Sequence, residues 1–282
     1  MRLPCATPTS SVYFSIVQPN APATPVVVEV PHAGLMLDAL SLATLAAPGR
    51  SIGRDADLYV DELYAEAPER GASMLVAHVS RYVCDLNRGE QDVDARAADG
   101  GRALSAPHGL VWRTTTEDRP ALFAPISRQE LQRRLNLIYR PYHEALQQLV
   151  QEKLAHFGFA ILLCAHSMPS YGRAGHSDPG RPRADIVPGS RGGTTTAEVV
   201  RTATEEVARS CGWSVEHDEP YRGGFSTAHY GKPNLGVHAI QVEIARRLYM
   251  DEQTLAKVPQ GFAKTQSFCN QLVERLGTLV LR

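Results

Sequence analysis

The stretch DLYVDELYAEAPERGASMLVAHV (residues 57–79), with PVVVEVPHAG (residues 25–34) ahead of it, decides the fold. Pro25 to Val30 is a short β-branched run that stops at Pro31-His32-Ala33-Gly34, as a buried strand does when it ends in a loop. In the longer stretch Val60, Leu63, Tyr64 and Ala67 form one apolar helical face from Asp57 to Ala67. Pro68 and Gly71 close that helix, and Met74 to Val79 is a second strand. Strand, helix and strand with short joints make a βαβ unit, hence a sheet with parallel strands.

Beyond Arg88 the chain is polar and without period to about Pro107, which reads as a surface loop. Ser127-x-x-Glu130 is a capping box. It opens a long apolar stripe of Leu131, Leu135, Ile138, Tyr142, Leu146, Leu149, Val150 and Leu154, which Pro141 should kink or divide. Phe159 to Cys164 is a further strand, ending at Ala165-His166-Ser167. Residues 169–193, crowded with Gly, Pro, Arg and Ser, read as a long loop, of the kind that carries function or is disordered. Thr195-x-x-Glu198 opens a helix that Gly212 ends, Val237 to Ile244 is a strand, and a last amphipathic helix covers about Gly261 to Leu276. Residues 1–24 form a Pro-, Ser- and Thr-rich lead-in. With no repeat and no separating linker, residues 25–282 read as one α/β domain.

Composition excludes several classes. The chain has 282 residues, 43% of them hydrophobic, and 29 basic against 30 acidic residues leave a net charge of −1. Disorder is excluded by that pattern, and so is the basic excess of a nucleic-acid or membrane-surface protein. No apolar run approaches the length of a membrane span, and the N-terminus lacks the apolar core of a secretory signal. The five cysteines, Cys5, Cys84, Cys164, Cys211 and Cys269, are odd in number and widely spaced, as in a chain of reduced thiols. These features predict a cytoplasmic protein with neither nucleic acid nor membrane as partner.

In open α/β sheets ligands collect at the carboxyl ends of the strands. His32, the Asp85-Leu86-Asn87-Arg88 cluster and His166 fall at such ends, and Glu243 lies within a late strand. A lone histidine is usually a hydrogen-bonded core residue. Two at the ends of different strands, with carboxylates nearby, point instead to a zinc site with an open coordination position. His78, His143 and His156 fall in strand or helix patterns and read as structural, while His229 and His238 are second-tier candidates. Ser167 lacks the setting of a nucleophile.

PHAG (31–34), RDADLYVDELY (54–64), SRYVCDLNR (80–88), AHSMPS (165–170), GGFSTAHYG (223–231) and HAIQVEIARRLYM (238–250) occur in this order. Together they resemble the N-formylglutamate amidohydrolase family, which is distantly similar to zinc carboxypeptidases and aspartoacylase-type deacylases. The resemblance runs from about residue 27 to 252, with DLNR and QVEIARRLYM its most specific segments. It implies a mixed, mainly parallel sheet flanked by helices, zinc-carboxypeptidase-like, and a small-molecule substrate bearing a carboxylate, as in a step of histidine degradation.

By the same resemblance His32 and His166 are the imidazole ligands of one zinc ion. Carboxypeptidase-like enzymes place a Glu three residues after the first His, where this chain has Leu35. Asp57 is therefore the choice for third ligand, at the start of its helix, with Asp61 one turn on as its support. Glu243 corresponds to the catalytic glutamate, which takes a proton from the attacking water and returns it to the leaving amine. The competing role for Glu243 is an ion pair with Arg246 or Arg247. Asn87 and Arg88 correspond to the pair that holds the substrate carboxylate, as the planar guanidinium fork suits. Arg81 is read as polarising the scissile carbonyl or binding a second carboxylate, a role for which Arg113, Arg191 and Arg222 also stand. The resemblance thus implies a zinc-dependent amidohydrolase removing a formyl or small acyl group from an acidic amino acid. The alternatives are a carboxypeptidase or peptide amidase on the same scaffold, and a metal-free binding module, which Leu35 and Cys164 keep open.

Overall fold

Four parallel strands carry the site in the computed structural model of the chain, which describes residues 11–104 and 108–281. They are β2 (Val26–Val30), β3 (Ser73–Ala77), β4 (Ala160–Met168) and β6 (Val237–Ala245), and antiparallel edge strands β1 (Phe14–Val17) and β5 (Ile186–Gly189) complete a mixed sheet in the order β1-β3-β2-β4-β6-β5. Every residue of β2, β4 and β6 is buried, the expected result when helices cover both faces of a parallel sheet. The lead-in is thus partly structured, since β1 pairs with β3 from Phe14↔Ala77 to Val17↔Met74.

Alternation along the strands divides the core. Val26, Val28, Val30, Leu163, Val242 and Ile244 pack on one face against α3 (Val60–Leu63), α6 (Glu198–Ser210) and α8 (Pro259–Gly277) through Leu63, Val200, Ala203, Phe268 and Leu272. Val27, Leu75, Leu162 and Ala239 pack on the other against Leu131, Ile138, Tyr142, Leu146 and Leu149. The last five lie on α4 (Arg128–Arg134), a π-helical turn (Leu135–Tyr139) and α5 (Arg140–Phe157). Ser127 caps α4 as the sequence predicts, its hydroxyl accepting the Glu130 amide at 3.1 Å, a cap of a kind worth about 0.5–2 kcal/mol. Pro141 has no N–H to give the carbonyl of residue 137, and the widened π turn falls where that conflict lies.

Several elements depart from the sequence reading. The helix read over 57–67 is shorter: after α1 (Ala39–Thr44) and α2 (Gly49–Asp55), Asp57 sits in a turn ahead of four-residue α3, and Ala67–Arg70 is a separate 3-10 turn around Pro68. β4 continues four residues past Cys164, so His166 belongs to the strand. The loop read over 169–193 contains β5. Thr195 is no helix cap: its hydroxyl donates to the Ser190 and Ala239 carbonyls, and α6 begins after Ala197, whose amide His238 Nδ1 accepts. Cys84, Cys164, Cys211 and Cys269 are free, and Cys5 lies outside the described residues. No described helix is long and apolar enough to cross a membrane.

The chain leaves β2 for β3 on one side and β4 for β6 on the other, so strand order reverses between β2 and β4. A crevice opens outside the carboxyl ends of strands at such a point. His32 follows β2 directly and His166 nears the end of β4, which places both imidazoles there.

Candidate active site

His32, Asp57 and His166 meet at that crevice, each no more than 2% exposed. His32 Nδ1 lies 3.2 Å from His166 Nδ1, and Asp57 Oδ2 lies 3.0 Å from His166 Nδ1 and 3.6 Å from His32 Nδ1. Zinc bonds of about 2.0–2.1 Å in tetrahedral array set neighbouring donors about 3.3 Å apart, and the observed spacings bracket that value. The donor chemistry also fits. His32 Nε2 lies 2.7 Å from Asp85 Oδ1; an ionised carboxylate only accepts, so Nε2 carries the hydrogen and a neutral ring turns the lone pair of Nδ1 toward Asp57 and His166. Carboxylate, histidine and metal in line is a familiar way to fix a ligand's tautomer. The three side chains therefore suit a divalent cation.

Asp85 organises one wall. It accepts from His32, from Arg81 Nη2 at 3.1 Å, from Trp112 Nε1 at 2.8 Å and from the Asn87 amide at 3.0 Å. Burial opposes its charge, but His32, Arg81 and Arg88 outweigh burial and hold its carboxyl well below the usual range. Asp57 behaves alike: burial is overcome by the neighbouring His166 and His32 and by the charge of Arg81. Arg246 donates to Asp57 Oδ1 at 3.1 Å. The supporting place expected for Asp61 is not taken by it; its charged neighbours are Glu62 and Lys257. The break between Asp57 and α3 is the reason, because the two aspartates no longer share a helix face.

Glu243 is the register partner of His166 on the neighbouring strand, so the two side chains leave the sheet on the same side. Its bond is with Gln241 two residues earlier, whose Nε2 donates to Glu243 Oε1 at 2.8 Å. Neither Arg246, committed to Asp57, nor Arg247, paired with Asp185 at 2.8 Å, bonds to it. Burial raises the Glu243 carboxyl above the ordinary glutamate range, against the pull of His166.

Gln241 Oε1 in turn accepts from Asn87 Nδ2 at 3.2 Å and from the Gly224 amide at 2.9 Å, while Ser226 N donates to Asn87 Oδ1 at 3.0 Å. The turn into α7 (Phe225–Tyr230) thus locks both amides, and Asn87 Nδ2 also lies 3.2 Å from His166 Nε2. Glycine is required at 224, because a Cβ there would come within 2.3 Å of Asn87 Nδ2. Gly224→Ala is expected to displace Asn87 and cut kcat/KM by roughly tenfold or more, since loss of a charge-supporting hydrogen bond is worth about 1.5–3 kcal/mol, with a smaller effect on thermal unfolding. Equal losses in both measurements would count against the arrangement.

Eight of the residues singled out from the sequence, His32, Asp57, Arg81, Asn87, Arg88, His166, Arg222 and Glu243, line one cavity of about 390 Å³. Arg88 donates from Nε to the His108 carbonyl at 2.7 Å and from Nη1 to the Asn87 carbonyl at 3.1 Å, and its Nη2 has no acceptor among the described residues. Arg81 spends Nη1 on the Asp55 carbonyl and Nη2 on Asp85, with its guanidinium 4.5 Å over the Trp112 ring. Arg113 and Arg191 are not in this cavity: Arg113 pairs with Asp94 at 3.1 Å and Arg191 donates to the Gly223 carbonyl. His238 serves α6, and His229 stacks on Phe225. The sequence reading missed Arg54, Asp55, Trp112, Arg173 and Gln241, which also line the cavity. Of these Arg54 and Asp55 lie in the quoted RDADLYVDELY segment and Gln241 lies two residues before Glu243, whereas Trp112 and Arg173 carried no signal.

A buried histidine–aspartate–histidine group that could hold a metal ion thus lies beside a buried glutamate in an arginine-lined cavity, at the switch point of a mixed, mainly parallel α/β sheet. The comparisons with known proteins give the family. Residues 24–250 match the sequence pattern of N-formylglutamate amidohydrolase, and the chain belongs to that family. It is 34% identical over 257 residues to N-formylglutamate deformylase of Pseudomonas aeruginosa, covering 89% of this chain and 92% of the relative. The corresponding Pseudomonas putida protein is 33% identical with the same coverage. The crystal structure of N-formylglutamate amidohydrolase from Ralstonia eutropha JMP134 superposes with a TM-score of 0.84 at 32% identity, covering 94% of this chain and 97% of that one.

Proposed function

We propose that the chain hydrolyses N-formyl-L-glutamate to formate and glutamate with one zinc ion held by His32, Asp57 and His166. The observation that carries this reading is Glu243, a buried carboxyl paired in register with His166 and facing the donor set. When bound, the metal supplies a Lewis acid that polarises the formyl carbonyl and eases ionisation of water. Glu243 takes the proton of the attacking water and delivers it to the amine nitrogen as the C–N bond breaks. A carboxyl raised by burial is better matched to carrying that proton near neutral pH than an ordinary one. Gln241 holds Glu243 in place. Arg88 binds a substrate carboxylate with Nη2, which has no acceptor among the described residues, and so fixes the amide in position, with Asn87 beside it in the chain and exposed Arg222 elsewhere on the cavity wall. Arg81, beside Asp57 at 3.9 Å, adds positive charge where the carbonyl oxygen gains electrons. The cavity volume, toward the low end for small-molecule sites, supports a small acyl-amino acid over a peptide.

The test is formate release from N-formyl-L-glutamate and from its 1-amide, by the parent and by Arg88→Lys. The parent is expected to favour the acid, and Arg88→Lys to lose about 10- to 100-fold in kcat/KM although charge is kept, because an ammonium cannot reproduce the guanidinium's directed donors. Equal turnover of acid and amide by the parent would remove Arg88 from the substrate, and absence of formate from both would end the reading.

A further inference from the structure

Six arginines line the cavity, Arg54, Arg81, Arg88, Arg173, Arg222 and Arg246, against the carboxylates of Asp55, Asp57 and Glu243. Most of these guanidinium groups are spent on the protein. Arg246 gives Nε to Ser167 Oγ, Nη1 to the Arg54 carbonyl and Nη2 to Asp57. Arg81 has both Nη atoms committed; Arg54, with its side chain 29% exposed, gives Nη1 to Glu117 and leaves a buried Nε without a partner among the described residues. Arg222 is exposed, and its Nη2 lies within 3.4 Å of where a Cβ at Gly192 would stand.

Arg173 differs. It lies between β4 and β5, in the segment the sequence reading took for a loop, and its side chain is only 11% exposed. Nη1 reaches Asp55 Oδ1 at 2.8 Å and Thr116 Oγ1 at 2.9 Å, while Nε and Nη2 have no protein acceptor among the described residues. Asp55 is a diluted partner, since Tyr82 OH, Thr116 N and Thr116 Oγ1 also donate to it. Burial, and then repulsion from Arg246, lower the Arg173 guanidinium to about 10, so it stays charged at neutral pH but poorly compensated. The segment is pinned: the Arg173 amide donates to His176 Nδ1 at 3.0 Å, and Arg183 grips Asp178 through two bonds of 2.7 and 2.8 Å.

We propose that Arg173 binds the second carboxylate of a dicarboxylate acyl-amino acid, the one Arg88 does not hold, and thereby sets the preference for an acidic side chain. The proposal rests on the amide-hydrolase reading for its substrate and on the donor inventory for its residue. Buried and held through Nη1, the guanidinium offers Nε and Nη2 as adjacent donors, the fork that a carboxylate accepts in two parallel bonds.

Selectivity is read as the ratio of kcat/KM for N-formyl-L-glutamate over N-formyl-L-glutamine, a neutral near-isostere. Binding of L-glutamate against L-glutamine is measured by calorimetry on the same proteins. A charge-assisted bond of this kind corresponds to roughly 10- to 100-fold. Arg173→Gln is expected to lower both ratios by that factor, with the loss on formylglutamate appearing mainly in KM. Arg173→Lys, which keeps a charge for Asp55, is expected to fall between the two and serves if the Gln variant does not fold. Unchanged ratios, or parallel losses on acid and amide, would overturn the proposal by reducing Arg173 to a structural partner of Asp55. If the parent releases no formate but prefers glutamate to glutamine through Arg173, the hydrolase reading fails and the carboxylate site stands.

Discussion

Glu243→Gln is expected to lower kcat by about 100- to 10,000-fold, the usual contribution of a positioned proton carrier, in protein that remains folded and zinc-replete. The substitution keeps the shape of the side chain and removes only its capacity to take a proton. The metal donors are untouched, because Glu243 bonds to Gln241 and is not among the three side chains whose ligand atoms converge. Its closest polar contact survives in altered form, with two amides facing where an amide faced a carboxylate, so any cost in stability falls on β6 locally. The measurement is kcat and metal content on one preparation. Near-normal turnover with zinc in place would move the base elsewhere in the cavity.

His166→Ala is expected to abolish both metal retention and turnover without unfolding the chain. His166 contributes one of three donor atoms, and its removal leaves His32 and Asp57, too few for a tetrahedral site. The fold does not depend on the ion, since both faces of the sheet carry apolar cores built from strands and helices away from the crevice. His32→Ala should behave alike, and in addition leaves buried Asp85 without its imidazole partner. Dialysed variants are compared with the parent for metal content and thermal unfolding. A variant that keeps stoichiometric zinc would place the metal elsewhere; one that unfolds would give the pair a structural role.

Much of the sheet was legible because the strands that matter are buried on both faces. Runs such as Val26–Val30 and Ala160–Cys164 have few other readings once their flanking Gly and Pro are considered. The β1 strand escaped because Phe14–Val17 is an edge with one covered side and no alternation strong enough to stand out. β5 escaped because Ile186–Gly189 ends in Pro and Gly, residues that weaken a strand reading, although Pro suits an edge. Thr195 resembled a cap from its spacing to Glu198, yet its hydroxyl was drawn to two carbonyls by the packing of β6.

The site was legible in its short motifs, although only His32 and His166 sit near strand ends, just beyond β2 and late in β4; Asn87 and Arg88, also read as lying at a strand end, fall in the turns that follow β3. Its electrostatic support was not. That Asp85 would orient His32, or Arg246 brace Asp57, depends on segments 53 and 189 residues apart meeting across the crevice. Arg173 had still less signal, as an arginine in a segment whose composition suggested only a loop.

We propose that this cavity is a zinc-dependent deformylase site. Its most direct test is metal content and formate release measured together, on protein expressed and purified without chelator, then after chelation and after zinc is restored. One zinc per chain, loss of N-formylglutamate hydrolysis with its removal, and recovery on its return are expected. A metal-free chain that hydrolyses the substrate at the same rate would contradict it.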